Sequence, residues 1–259
     1  MTITRREAIK QIGALAAVIS LPACSTVNRR ERPLEPPPPE SLAPARQQTI
    51  ALLGATGMSG GYILNEALRQ GYRVRALART PAKLQAYHDL IEVIEGDALD
   101  PAVLAELLRG SDVLISALGP VKSDGHAAIN ICSRVTGLVI DVMQSMGLAR
   151  YILVSGAGVE VRGDHRDGRG WLIRKLAQLT LTAELHDKQM EYGLLQASML
   201  DWTLMRCPII DPLPYHNGAE ATLDTPVSFH VGAGDLARFA VEQVASQDFV
   251  RKAPFLGNR

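Results

Sequence analysis

Residues 49–80 read TIALLGATGMSGGYILNEALRQGYRVRALART, and the order of features in this stretch sets the fold class. The apolar run Ile50-Ala51-Leu52-Leu53 has the length of a buried strand. It enters Gly54-Ala55-Thr56-Gly57-Met58-Ser59-Gly60, and an amphipathic segment from Tyr62 to Leu68 follows, closed by Gly71. A second strand comes next, with Val74, Ala76 and Ala78 alternating against Arg73, Arg75 and Leu77. A glycine pattern alone is weak. Placed between a strand and a helix, with a second strand after it, it reads as a dinucleotide-binding turn. Glycine permits the tight bend and lets backbone N–H groups at a helix N-terminus approach a pyrophosphate.

On the N-terminal side, the chain opens with a segment of a different kind. Thr4-Arg5-Arg6-Glu7-Ala8-Ile9-Lys10 holds twin arginines, and the apolar run from Ile12 to Leu21 has the length of a signal h-region rather than a membrane span. Leu21-Pro22-Ala23-Cys24 closes it. This resembles a bacterial twin-arginine export signal ending in a lipobox. The resemblance implies use of the twin-arginine machinery, cleavage before Cys24, and a lipid on that sulfur as the one membrane attachment. Ser25 in the next position implies the outer membrane, on its periplasmic face. Residues 24–48 hold Pro33, Pro36 to Pro39 and Pro44 with few large apolar groups, the composition of an extended spacer. The expected organisation is a signal over 1–23, a proline-rich linker over 24–48, and one domain over 49–259.

On the C-terminal side, strands and helices alternate. Thr80-Pro81 and Asp100-Pro101 each read as a helix cap with proline at the first helical position. Strands are expected over 91–95, 113–116, 151–154, 202–206 and 254–256. Helices are expected after Asp100, over the Ile131–Met146 apolar face, over 181–196, and from Asp235. That alternation predicts a Rossmann-type, doubly wound α/β sheet, in which ligands bind beyond the carboxyl ends of the strands. The residues expected there are Gly54, Arg79, Asp97, Gly119 and Ser155, with Ala98, Ala117 and Leu118 beside them.

The end of the second strand discriminates between cofactors. An NAD site places an acid there for the ribose hydroxyls. Here the strand ends Ala78-Arg79-Thr80. A guanidinium grips a 2′-phosphate through two charge-assisted bonds. The prediction is NADP rather than NAD, held by Arg79 and Thr80, with Arg75 and Lys83 in support. Asp97 is placed either for the adenine or for an Asx turn. Gly54, Thr56, Gly57, Met58, Ser59 and Gly60 are the expected pyrophosphate cradle.

Taken together, these motifs resemble the atypical short-chain dehydrogenase/reductase superfamily. The likeness is to its NAD(P)H-binding branch of flavin/biliverdin reductase-like proteins and nitrogen-metabolite regulators. It rests on Gly54 to Gly60, Arg79-Thr80-Pro81, Gly96-Asp97, Ser116 to Gly119, Leu153-Val154-Ser155, Asp187 to Glu191, Arg206-Cys207-Pro208 and Gly234 to Ala237. The resemblance implies an oxidoreductase acting on a small carbonyl, quinone or flavin-type acceptor. One departure matters. The familiar Tyr-x-x-x-Lys pair is absent: if Lys188 takes the lysine's place at the ribose, Glu184 stands in the tyrosine's. Ser155 is then expected to bind a substrate carbonyl, with His186 or Glu184 as the acid. The alternative is an NADP-binding redox sensor or assembly factor without turnover.

Composition narrows the partners. The chain has 27 Lys and Arg against 27 Asp and Glu, and loss of Arg5, Arg6, Lys10 and Glu7 with the signal leaves about −2. No basic block suggests nucleic acid, and no Cys/His cluster has zinc spacing. Cys132 and Cys207 read as buried thiols. The glycines and charges of residues 162–170 read as a mobile substrate loop.

Overall fold

The computed structural model describes residues 35–121, 125, 128–165, 167–214 and 218–258. The stretch expected to be an export signal, Cys24 included, lies outside them. The chain runs through β1 (Thr49–Leu53), α1 (Met58–Arg69), β2 (Arg73–Ala78), a 3-10 helix (Pro81–Tyr87), β3 (Glu92–Glu95), α2 (Pro101–Leu108) and β4 (Val113–Ser116). It continues through α3 (Ile131–Ser145), β5 (Arg150–Gly156), α4 (Gly168–Thr180), α5 (Thr182–Ala197), β6 (Asp201–Cys207) and β7 (Ile209–Asp211). Then come β8 (Glu220–Thr222), β9 (His230–Gly232), α6 (Ala233–Glu242) and β10 (Phe255–Gly257). The main sheet has the order β3-β2-β1-β4-β5-β6-β10-β8, and β7 pairs with β9 separately. All its pairings are parallel except that of β8 with β10. This is the doubly wound Rossmann-like arrangement, with the strand order reversing between β1 and β4.

Both faces of the sheet are covered, so the central strands are apolar throughout. Ile50 and Leu52 pack with Ile63 and Leu64 of α1 and with Leu236 and Ala240 of α6. Ala51 and Leu53 point the other way, toward Leu104 of α2, Val139 of α3 and Leu195 of α5. The period of two puts one residue in each of two cores. That is why a four-residue apolar run sufficed to mark β1.

Several elements depart from the sequence reading. Asp100 caps α2, its Oδ1 accepting from Ala102 N at 2.8 Å. Thr80 does not cap: its φ of −138° and ψ of 89° come with no side-chain bond, and the segment after it is a 3-10 helix. Residues 162–170 are only partly a loop. Asp167 Oδ1 accepts from Gly170 N at 2.8 Å and opens α4. Gly168 and Gly170, poor helix formers, concealed that helix. Short strands β7, β8 and β9 also escaped notice, since three residues carry too little periodicity to read.

The described end of the proline-rich segment lies against the domain. Ala43 N donates to Arg69 O at 2.8 Å and Arg46 N to Gly71 O at 2.7 Å. The Arg46 guanidinium sits 4.6 Å over the Tyr72 ring, and Leu42 packs on the core. Gly71, at φ +80°, is needed here, because a Cβ would stand 2.2 Å from Pro44 O. Residues 42–46 therefore belong to the folded unit rather than to a free spacer.

Candidate functional site

The cradle at the head of α1 is made of space that side chains leave empty. Gly54 has φ +80°, and a Cβ there would lie 2.7 Å from Ala117 O. At Gly60 a Cβ would lie 2.0 Å from Gly54 O, so only glycine lets the helix come this close to the turn. Gly57 N donates to Gly54 O at 2.9 Å and closes the bend. Gly57 is the N-cap of α1 with no side-chain bond. The first-turn N–H groups have no intrahelical acceptor, and they face out beside exposed Thr56 and Met58 and half-buried Ser59. The end of β4 forms the opposing wall, where Ala117 N donates to Leu53 O at 3.0 Å and Leu118 and Gly119 follow.

At the neighbouring strand ends, Arg79 and Thr80 are both exposed. Arg75 is spent elsewhere: it pairs with Glu92 and Glu106 and donates to Leu107 O at 3.1 Å. It is a tie between β2, β3 and α2, and its expected part in phosphate binding is withdrawn. Asp97 makes the Asx turn, its Oδ1 accepting from Leu99 N at 2.9 Å. Ala98 beside it is buried.

The end of β5 is different in kind, since charged groups are buried there. Lys188 Nζ donates to Val154 O at 3.2 Å and to Glu191 Oε2 at 3.0 Å. Glu191 is 3% exposed, and its other oxygen accepts from Thr136 Oγ1 at 3.0 Å. Thr136 in turn lies 3.3 Å from the Tyr151 hydroxyl. Burial works to lower the Lys188 pKa, and the Glu191 carboxylate more than offsets it, holding the ammonium above the usual lysine range. Burial pushes the Cys132 thiol up to about 12. Asp187 is buried too and receives Cys132 N and Ser133 N, both at 2.9 Å. It thereby caps α3 from another helix, where Asn130, at φ 57°, offers no side-chain bond.

Ser155 stands next to Val154, 4% exposed, and its Oγ has no hydrogen-bond partner among the described residues. A buried orphan hydroxyl is costly, and at a strand end it marks a place for a ligand atom. His186 does not join this group. Two residues are about 200° of helix, so it projects away from Lys188 and is exposed. Glu184 stands one turn before Lys188 on the same flank and is also exposed.

The segment expected to be a mobile loop is pinned from below. Arg206, fully buried, donates to Asp164 Oδ2 at 2.7 Å, to Ala253 O at 2.8 Å and to Val159 O at 3.3 Å. Its guanidinium lies 3.6 Å over the Phe255 ring. Burial lowers its pKa, and Asp164 opposes that. Asp187 and Arg206 entered the sequence reading only as positions matching the resemblance, with no role assigned, and Thr136 did not enter it. A lysine and a glutamate three apart on a helix signal an ion pair, but nothing local signals that Glu191 is buried and Lys188 half-buried.

Comparison with known proteins adds to this geometry. A family model described as NAD(P)H-binding matches residues 54–247. The chain is 28% identical over 166 residues to the chloroplast divinyl chlorophyllide a 8-vinyl-reductase of Zea mays, covering 55% of this chain and 41% of that protein. It spans less than half the length of the curated relatives it matches. A solved structure of an anaerobilin reductase from Escherichia coli O157:H7 superposes with TM-score 0.67 at 22% identity, over 81% of this chain and 96% of that one. A putative exported protein from Burkholderia pseudomallei superposes with TM-score 0.62 at 26% identity, over 82% of this chain and all of that one.

Proposed function

The chain belongs to the NAD(P)H-binding family, and from that premise we propose that it is an NADP(H)-dependent reductase of a small carbonyl, quinone or flavin-type acceptor. The observation that supports this best is the pairing of two features: a cradle closed to every side chain at Gly54 and Gly60, and the orphan hydroxyl of Ser155. Such a site fits a dinucleotide whose pyrophosphate lies on the head of α1. Bound NADPH supplies a hydride. Arg79 and Thr80 hold the 2′-phosphate, where an acid would favour NAD. Asp97 and Ala98 border the adenine, and Ala117, Leu118 and Gly119 wall the opposite side. Lys188 holds the ribose near the nicotinamide, and Ser155 donates to the acceptor oxygen. With no tyrosine four residues before Lys188, the proton reaches the product from Glu184 or from water.

The test is NADPH oxidation by the purified protein with a panel of quinones, flavins and carbonyl compounds. The expected result is turnover with at least one class, reduced about tenfold or more in Ser155→Ala. Tight NADPH binding with no oxidation of any acceptor supports the second reading, a redox sensor or assembly factor. The missing tyrosine favours that reading. Absence of binding by NADPH and NADP alike overturns both.

The same proposal places the protein in the bacterial cell envelope, exported through the twin-arginine route and anchored by a lipid on Cys24. Supporting this are the Arg5-Arg6 leader, the Leu21-to-Cys24 lipobox and the likeness to a protein described as exported. Because that route carries folded proteins, NADP enters the envelope already bound. Denaturing envelope-derived protein is expected to release the nucleotide, and Cys24→Ala is expected to move the protein to the soluble fraction. Nucleotide-free envelope protein, or a variant that stays in the membrane, counts against the respective claim.

A further inference from the structure

The Lys188 ammonium has three donors. One goes to Val154 O at the end of β5 and one to Glu191. No oxygen accepts from the third among the described residues. The lysine side chain is 15% exposed, whereas Glu191 is 3% exposed. The ammonium is therefore held by two strong oxygen acceptors, and its third donor is the one to meet a hydroxyl. Glu191 is itself held: Thr136 occupies its second oxygen, and Tyr151 lies behind Thr136. The carboxylate next to Lys188 in sequence, Asp187, is spent on the α3 backbone.

As a mere latch between α3 and α5 this arrangement is a poor choice. A buried ion pair is at best a weak stabiliser, and an apolar pair of similar volume serves as well. What a charge pair does better is fix the direction of a long, rotamer-rich side chain. Resting on the reading above that the crevice takes NADP(H), we propose that Glu191, backed by Thr136, is a positioning residue that aims the Lys188 ammonium at the ribose next to the nicotinamide. Glu191 touches neither nucleotide nor substrate.

The experiment compares two ligands on the full chain by titration calorimetry. NADPH has the nicotinamide ribose; 2′,5′-ADP has the adenosine and 2′-phosphate but lacks that ribose. Lys188→Met and Glu191→Gln are each expected to weaken NADPH by about tenfold to a hundredfold and to leave 2′,5′-ADP unchanged. The double variant is expected to be no worse than Lys188→Met. Thr136→Val, nearly isosteric, is expected to weaken NADPH alone by a smaller factor, and it decides the matter if Glu191→Gln does not fold. Equal weakening of both ligands by Glu191→Gln makes the residue a general support of the fold and overturns the proposal. Wild-type NADPH affinity in Glu191→Gln and in Thr136→Val overturns it too. If Lys188→Met has no effect while 2′,5′-ADP still binds, the proposal fails and the crevice reading stands. If the wild type binds neither ligand, both fail.

Discussion

The two sides of the crevice are built on opposite principles. At the end of β1, the cradle is defined by what is absent: Gly54 and Gly60 leave the backbone free to approach, and a Cβ at either would strike another backbone atom. At the ends of β5 and β6 the wall is defined by what is buried: Glu191, Asp187 and Arg206 lie inside, Glu191 and Arg206 paired with the half-buried Lys188 and Asp164. The first arrangement suits a constant group such as a pyrophosphate, which needs only aligned N–H donors. The second must hold charges in a fixed direction inside low dielectric, which needs partners from distant parts of the chain. An error in the first half should cost binding, and an error in the second should cost stability or aim.

The largest effect that would break this contrast is at Asp164. Asp164→Ala leaves the Arg206 guanidinium buried and uncompensated, and urea unfolding is expected to show a loss of about 3–5 kcal/mol. Nucleotide affinity of the remaining folded protein should stay close to wild type. Were stability unchanged, the buried charges would not organise the second half. Next comes Gly60→Val, which forces a side chain into the Gly54 carbonyl. It is expected to weaken NADPH binding by about a hundredfold or more, with an overpacking cost of about 1–3 kcal/mol. Unaltered binding would remove the cradle from the account.

Arg79→Ala is a finer probe of the same half. It is expected to weaken NADPH by about tenfold or more and NADH hardly at all. Equal weakening of the two would take the 2′-phosphate away from Arg79. The smallest effect tests the buried thiols. Because the Cys132 pKa is raised to about 12 by burial, the native thiol keeps its proton where the unfolded thiol, near 8.5, loses it. The unfolded state then binds fewer protons than the native state, so stability falls with rising pH. A decline between about pH 9 and pH 12 is expected, and Cys132→Ala should make it shallower. Both Cys132 and Cys207 are free and buried, so neither should react with iodoacetamide in the folded protein at pH 8.

Legibility followed the same division. The β1–turn–α1 unit was readable because glycine spacing and a period-two apolar run are local signals. Asp100 was readable as a cap for the same reason. Thr80 was misread because a cap-plus-proline pair also opens a 3-10 helix. Residues 168–180 were missed because their helix begins on two glycines and draws its cap from Asp167. In the candidate site, Ser155 was placed by its position at a strand end and Lys188 by resemblance, whereas His186 was placed by proximity in sequence, and helix geometry turns it outward.

From the amino-acid order alone came the fold class, the position of the glycine turn, and the absence of an acid after β2 and of Tyr-x-x-x-Lys. Each of these is a property of neighbouring residues. Only the tertiary structure decided which charges are buried and what they face. Asp187 caps a helix more than fifty residues away, with |i−j| of 55 to Cys132, and Arg206 reaches Asp164 across 42 residues. It also decided that residues 42–46 lie on the domain. The physical reason is range. Propensity, capping and turn chemistry act within a few residues, whereas desolvation makes a buried charge depend on whichever distant group the fold brings to it.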